Sequence, residues 1–389
     1  MSDFFMDTYK RTGLTFVRGS GARVWDSLGR EYIDFTAGIG VNSLGHGHAA
    51  LVAAISSQAA RLIHISNYYQ SEESERLAER LCRATGFDRV FFCNSGAEAN
   101  EGAIKIARRW GEAMNPPRST IVTLEGSFHG RTIATLAATG QAKFHEHFGP
   151  FPPGFIHVPA NDVAALSAAL GPEVCALILE PIQGEGGVVP LADDYIREAA
   201  RLCAERGLLL VADEVQCGVG RTGSFLASTR AGVKADVLAL AKGLGGGLPI
   251  GAVLARGRAA TVLGRGDHGS TFGGNPLAAS AALAVLDALE TPGFLASVAA
   301  KGERMMTTMR AWRHPLVKEV RGAGLMIGLA VNIKPDRIKE LAIEEGLLVL
   351  TAGEDAVRML PPLIIPDADI DRGLQLLRTA LDRAQHESD

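Results

Sequence analysis

Apolar runs of strand length recur through the first two thirds of the chain, at residues 90–93, 120–124, 174–179, 208–212 and 237–240. Several of them stand downstream of alanine-rich segments with helical period. Residues 97–110 carry an apolar stripe at Ala99, Ala103, Ile106 and Ala107, and residues 195–205 form a second such segment just before the run at 208. The alternation predicts an α/β fold in which a mostly parallel central sheet is covered by helices on both faces. Past about residue 275 the pattern changes to a long alanine-rich helical run. A tail then mixes strands (324–331, 347–350) with helices, the mark of a second, smaller α+β domain.

A chain of 389 residues exceeds what one core needs, so two domains and a cleft between them fit its length. With 47% hydrophobic and 21% charged residues it has the balance of an ordinary globular protein. The formal net charge of -4 and the lack of a basic stripe argue against nucleic acid and anionic membrane surfaces as partners, leaving a small-molecule substrate. Cys82, Cys93, Cys175, Cys203 and Cys217 are odd in number and without paired short spacing, which speaks against a disulfide framework or a zinc site and fits a reducing cytoplasm. The first eleven residues do not read as a secretory signal, and no apolar run approaches the roughly 20 residues of a spanning helix. His46 and His48 flank a glycine, and His145 and His147 lie on a polar segment, so no catalytic metal is expected.

Active sites of open α/β sheets lie beyond the carboxyl ends of the strands, and five of these runs end in chemistry. Asn94-Ser95-Gly96-Ala97-Glu98 opens a helix whose free N–H groups suit a phosphate, although Ser95 also reads as a simple cap. Asp213-Glu214 ends an apolar run, where a partly desolvated carboxylate wants a cation such as a protonated pyridine nitrogen. Its plainer reading is a cap for the next turn. Lys242 precedes the glycines at 243 and 245–247; it is either an ordinary surface lysine or one whose burial lowers its pKa and makes it a nucleophile. Phe128-His129-Gly130-Arg131 offers a stacking face and a guanidinium fork, or merely a core phenylalanine and a surface arginine. Glu180 to Glu185 places two carboxylates after a strand, a weak signal alone. Residues 218–223 match G-x-G-x-x-G, but the nine residues that follow are too few for a crossover helix, and Asp-Glu would repel a pyrophosphate. A glycine-rich loop with an exposed Arg221 is the expectation there.

Taken together these motifs are ordered along the chain as in a known family. Arg23-Val24-Trp25-Asp26, Asn42-Ser43-Leu44-Gly45-His46, 95–100, 180–190, 213–223, 241–250 and 268–276 make the chain resemble the class III pyridoxal-phosphate-dependent aminotransferases almost end to end, nearest to their acetylornithine branch. The resemblance implies fold type I, with a large cofactor-binding domain (45–290), a small domain built from both chain ends (1–44 and 291–389), and a homodimer with shared active sites. It implies that Ser95, Gly96 and Ala97 seat the phosphate of pyridoxal 5'-phosphate, Phe128 stacks on its ring, Asp213 pairs the ring nitrogen, Gln216 meets the ring oxygen and Lys242 attaches the cofactor. Thr271 would reach the phosphate of the neighbouring subunit's cofactor, with Ser270 near substrate. Arg131 would bind the donor's carboxylate and Arg358 the α-carboxylate of 2-oxoglutarate, while Glu185 would pair with Arg358 when the donor is bound.

The implied reaction moves the δ-amino group of N2-acetyl-L-ornithine to 2-oxoglutarate, a step of arginine biosynthesis. Succinylornithine, ornithine and 4-aminobutyrate are the alternative donors. Ser270 and Gly273-Gly274 favour the acetylornithine branch over the 4-aminobutyrate one, Arg131 disfavours an aminomutase, and 64–69 is a stretch in which substrate-loop residues vary.

Overall fold

The computed structural model describes residues 4–387. Its centre is a seven-stranded sheet whose strands, in chain order, are Arg89–Cys93 (β1), Thr120–Leu124 (β2), Phe155–Val158 (β3), Val174–Leu179 (β4), Leu209–Asp213 (β5), Val237–Leu240 (β6) and Gly251–Ala255 (β7). They lie side by side as β3-β2-β4-β5-β6-β7-β1. Neighbours from β3 to β6 pair in parallel, whereas β7 runs antiparallel to both β6 and β1. Five of the seven coincide with the apolar runs of the sequence. The other two are β3 and β7, and the small residues of β7 continue the glycine-rich stretch after Lys242.

Why these runs are apolar throughout follows from covering helices on both faces. Successive side chains of a strand point to opposite sides. In β4, Leu177 and Leu179 join one cluster, together with Ile196, Ala199 and Cys203 of the helix Asp193–Arg206. Ala176 and Ile178 join another, with Ala103, Ile106 and Ala107 of the helix Gly96–Glu112, and Cys175 joins them because the pairing with β2 shifts register at that residue. All six β4 residues are buried, so truncating Leu177 to alanine would cost about 2–5 kcal/mol.

The two chain ends meet in two further sheets. Strands Phe16–Ser20, Arg23–Asp26 and Glu31–Asp34 form an antiparallel ribbon, and Leu347–Leu348 adds to it in parallel, with Leu347 opposite Ile33. Arg23 ties the same junction by donating to the buried Asp369 at 2.6 and 3.0 Å. A second antiparallel sheet joins Val317–Ala323, Met326–Val331, Ala356–Met359 and Leu350–Ala352. The single strand expected at 347–350 is thus two, divided at Val349, one half in each sheet. The alanine-rich run past 275 is the helix Pro276–Leu289, capped by Asn275 and packed on Ala49–Arg61 and Glu72–Thr85. Among the described residues no single helix is long and apolar enough to cross a membrane.

Candidate active site

Parallel pairing brings the carboxyl ends of β2, β4, β5 and β6 to one edge of the sheet, and a cavity of about 440 Å³ opens there. Ser95, Gly96, Ala97, Phe128, Arg131, Asp213, Gln216 and Lys242 all line it. Glu185 and Arg358 stand beside it, both bonded to Gln216. Ser270 and Thr271 do not reach this chain's cavity. Ser270 is held behind Asn94, whose amide donates to its hydroxyl at 3.3 Å, and Thr271 is exposed.

The helix Gly96–Glu112 aims its N-terminus into the cavity. Both readings of Ser95 meet here, because its hydroxyl accepts from the Glu98 amide at 3.1 Å as a cap. The amides of Gly96 and Ala97 belong to the first turn, which a helix leaves without internal acceptors. Glycine is required at 96, since a Cβ there would sit 2.5 Å from Val215, which lines the same cavity together with Phe128.

At the end of β5, Asp213 is 2% exposed. Its Oδ2 accepts from Asn100 Nδ2 and faces His129 Nδ1, each at 2.7 Å, while Oδ1 accepts from the Val215 amide. Asn100 Oδ1 and His129 Nε2 are buried without protein partners. Burial works against a charge on His129, but its contact with Asp213 and the fields of Asp213 and Glu180 outweigh it and raise its pKa. Glu180, buried behind Phe128, accepts from the Phe128 amide at 2.8 Å and from the Gly184 amide at 3.2 Å. Burial pushes its pKa up, and the nearby Asp213 adds to the effect.

Lys242 opens onto the cavity from the end of β6 in a left-handed backbone conformation, φ 42°, that side chains rarely adopt. Burial lowers its pKa below the usual lysine value, the charge of Arg358 working in the same direction and the carboxylates of Glu185, Glu180 and Asp213 against it. Arg358, itself 2% exposed, closes on Glu185 at 2.6 Å and donates to Gln216 Oε1 at 2.9 Å. Burial opposes the charge on Glu185, yet Arg358 overcomes it and keeps that carboxyl below its ordinary value. Arg131 lies exposed at the mouth, its guanidinium 4.0 Å from the centre of the Phe144 ring.

Asn100 and the pairing role of His129 escaped the sequence reading. Asn100 lies on the helix that begins at Gly96, one turn in, so its helical position was a usable signal. Residues 37–40 also went unread: all four have positive φ, from 44° to 75°, forming a left-handed turn that delivers Val41 to the cavity wall. Asp34 Oδ1 holds the turn by accepting from the Thr36 and Ala37 amides. One expectation is overturned. Arg221 is not exposed but only 3% accessible, because 218–223 is covered by the turn at Gly324-Leu325, the segment at Pro361 and the helix Phe294–Ala311.

The residues present suit pyridoxal phosphate: first-turn amides for its phosphate, flat apolar walls at Phe128 and Val215, a buried carboxylate opposite and a lysine with a lowered pKa. The model of the class III aminotransferase family matches residues 5–381. An acetylornithine aminotransferase of Caldanaerobacter subterraneus subsp. tengcongensis is 48% identical over 382 residues, covering 97% of each chain. The ornithine aminotransferase of Toxoplasma gondii superposes with a TM-score of 0.95 at 34% identity, over 99% of this chain and 93% of its own. The N-acetylornithine aminotransferase of Stenotrophomonas maltophilia does so with a TM-score of 0.85 at 39% identity, over 97% and 98%. The chain belongs to the class III aminotransferases and is a pyridoxal-phosphate-dependent transaminase.

Proposed function

We propose that the enzyme transfers the δ-amino group of N2-acetyl-L-ornithine to 2-oxoglutarate in two half-reactions, with the cavity at the ends of β2, β4, β5 and β6 as its active site. The observation that carries this reading is the convergence there of Lys242, Asp213 and the start of the helix Gly96–Glu112, beside the Glu185–Arg358 pair. Similarity to two acetylornithine enzymes supports the choice of donor.

In this reading Ser95, Gly96 and Ala97 hold the phosphate, Phe128 covers the ring, Gln216 faces its oxygen and Asp213, steadied by Asn100 and His129, meets its nitrogen. Bound pyridoxal phosphate supplies an electron-withdrawing ring that stabilises negative charge at the reacting substrate carbon. Lys242, whose desolvation favours the neutral amine, would attach the cofactor and move the proton at that carbon. Arg131 takes the donor's carboxylate at the mouth. Arg358 takes the α-carboxylate of 2-oxoglutarate once Glu185 lets it go, so one site serves substrates with one or two carboxylates.

Ser270 and Thr271 act across a homodimer in this reading, Thr271 on the phosphate in the neighbouring subunit and Ser270 near substrate. Exposed Ile63, Tyr68, Tyr69 and Phe272, on the same side as Thr271, support such an interface. We further assign 45–290 to a large domain, 1–44 and 291–389 to a small one, and the enzyme to the cytoplasm in arginine biosynthesis.

The test is the visible spectrum of the purified protein. Loss of the cofactor band on adding N2-acetyl-L-ornithine and its return with 2-oxoglutarate, neither seen in Lys242→Ala, are expected. A protein that stays unreactive when supplied with pyridoxal phosphate would overturn the reading. Succinylornithine, ornithine and 4-aminobutyrate, run in parallel, rank the donors.

A further inference from the structure

Arg221, in the glycine-rich loop that follows Gln216, has no place in the chemistry above, yet it is buried, with the charge of Asp34 only partly offsetting the cost of its desolvation. Its Nη1 donates to the Pro361 carbonyl at 2.5 Å and to the Leu325 carbonyl at 3.1 Å, while Leu325 N donates back to the Arg221 carbonyl at 3.0 Å. Nη2 is buried without a partner, and a Cβ on Gly40 would come within 4.0 Å of it. A guanidinium in such a place is costly, and an apolar residue of similar volume would fill the space at lower cost.

What the two carbonyls share is Arg358. Pro361 lies three residues beyond it in the chain. Leu325 lies three residues before Gly328, which sits directly opposite Arg358 in the pairing of Met326–Val331 with Ala356–Met359. One guanidinium therefore bridges the active-site ends of the two paired strands and fastens them to the loop that carries Gln216. The neighbouring backbone reinforces the node: Leu360 N donates to Phe35 O at 2.7 Å, just before the left-handed turn 37–40.

We infer that Arg221 is a positioning residue for the acceptor step, holding the strand of Arg358 at the depth where its guanidinium meets the α-carboxylate of a 2-oxo dicarboxylate. The inference rests on the proposed role of Arg358. In that role the donor's carboxylate goes to Arg131 instead, so Arg221 bears chiefly on the acceptor half-reaction.

The holoenzyme's two half-reactions are followed separately by stopped-flow absorbance for wild type, Arg221→Met, Arg221→Lys and Arg358→Ala. For Arg221→Met, kcat/KM with 2-oxoglutarate is expected to fall about tenfold or more, through KM, while the N2-acetyl-L-ornithine half-reaction changes less than about twofold. Arg221→Lys, which keeps a donor for one carbonyl, should fall between. With succinic semialdehyde, an acceptor lacking the α-carboxylate, the variants and wild type should converge. Equal losses in both half-reactions, or none, overturn the inference. If Arg358→Ala itself spares 2-oxoglutarate, the role of Arg358 fails; if it does not and Arg221→Met does, only the inference about Arg221 fails. Should Arg221→Met not accumulate as folded protein, the same comparison in Arg221→Lys decides.

Discussion

His129 Nδ1 and Asp213 Oδ2 lie 2.7 Å apart with both side chains sealed from solvent, and Asn100 Nδ2 reaches the same oxygen at the same distance. The carboxylate at the end of β5 is therefore oriented by two side chains, one from the helix Gly96–Glu112 and one from the loop after β2. Removing either leaves a buried anion with fewer donors, at a cost of about 1.5–3 kcal/mol for a hydrogen bond to a charged group.

His129→Ala should accordingly lower kcat by roughly tenfold or more and speed loss of pyridoxal phosphate on gel filtration, with Asn100→Ala acting in the same direction. Unchanged kcat and cofactor retention in both would show that Asp213 needs neither.

Gly184 has no room for a side chain. A Cβ there would overlap the amide of Gln216, which is engaged by Arg358 on its oxygen and by Glu185 on its nitrogen. A free glutamine would swing away cheaply, but this one is held at both ends. Gly184→Ala should therefore reduce turnover about tenfold while leaving the folded state intact. Circular dichroism and steady-state kinetics on one preparation check both parts, and near-normal turnover would mean that Gln216 yields without harm.

The site was legible in the sequence where strand ends carry unusual residues. Asp213 and Lys242 each follow an uninterrupted apolar run, and the parallel sheet then forces such ends together. Asn100 was harder to find because its function depends on helix phase, and polar residues one turn into a helix are common. Arg221 was misread because nothing within the loop 218–223 reveals that residues more than a hundred positions later, Leu325 and Pro361, come back to cover it. The antiparallel direction of β7 escaped for a similar reason. Orientation is fixed by what a strand pairs with, here β6 and β1, and its own small apolar residues do not carry that information.

Glu214, the neighbour of Asp213, faces the other way. Its carboxylate is fully buried and accepts from the Ala227 and Ser228 amides and the Ser228 hydroxyl. Burial pushes its pKa to about 7, above the ordinary 4.5. A group whose folded pKa is raised stabilises the fold fully below its unfolded pKa and loses that contribution as pH rises through the folded one. The stabilising share of Glu214 is thus present below about 4.5 and gone above about 7. Glu214→Gln, which cannot ionise, should show a shallower fall in its urea midpoint between pH 5 and 7 than wild type at equal protein concentration. Parallel curves would mean that the three hydrogen bonds already keep the carboxylate ionised.

If Arg358 takes the acceptor's α-carboxylate as proposed, the Glu185–Arg358 pair sets the order in which carboxylates are admitted. Only one oxygen pair can occupy the Arg358 fork, so Glu185 and an acceptor's α-carboxylate compete for it. Arg358 holds Glu185 below its ordinary pKa, so lowering the pH toward 5 does not release the pair by protonation, and the competition persists through the neutral range. Removing the competitor frees Arg358 permanently. Glu185→Ala should bind 2-oxoglutarate and glutamate more tightly, by about tenfold in KM, and should use N2-acetyl-L-ornithine less well, because an uncovered guanidinium then faces the neutral part of that donor and is filled by glutamate instead. The ratio of kcat/KM for N2-acetyl-L-ornithine over glutamate is the quantity to measure. A fall by an order of magnitude supports gating by Glu185; a ratio equal to that of wild type means that the pair only braces the strand and that discrimination between the two donors is made elsewhere, with Arg131 the first residue to examine.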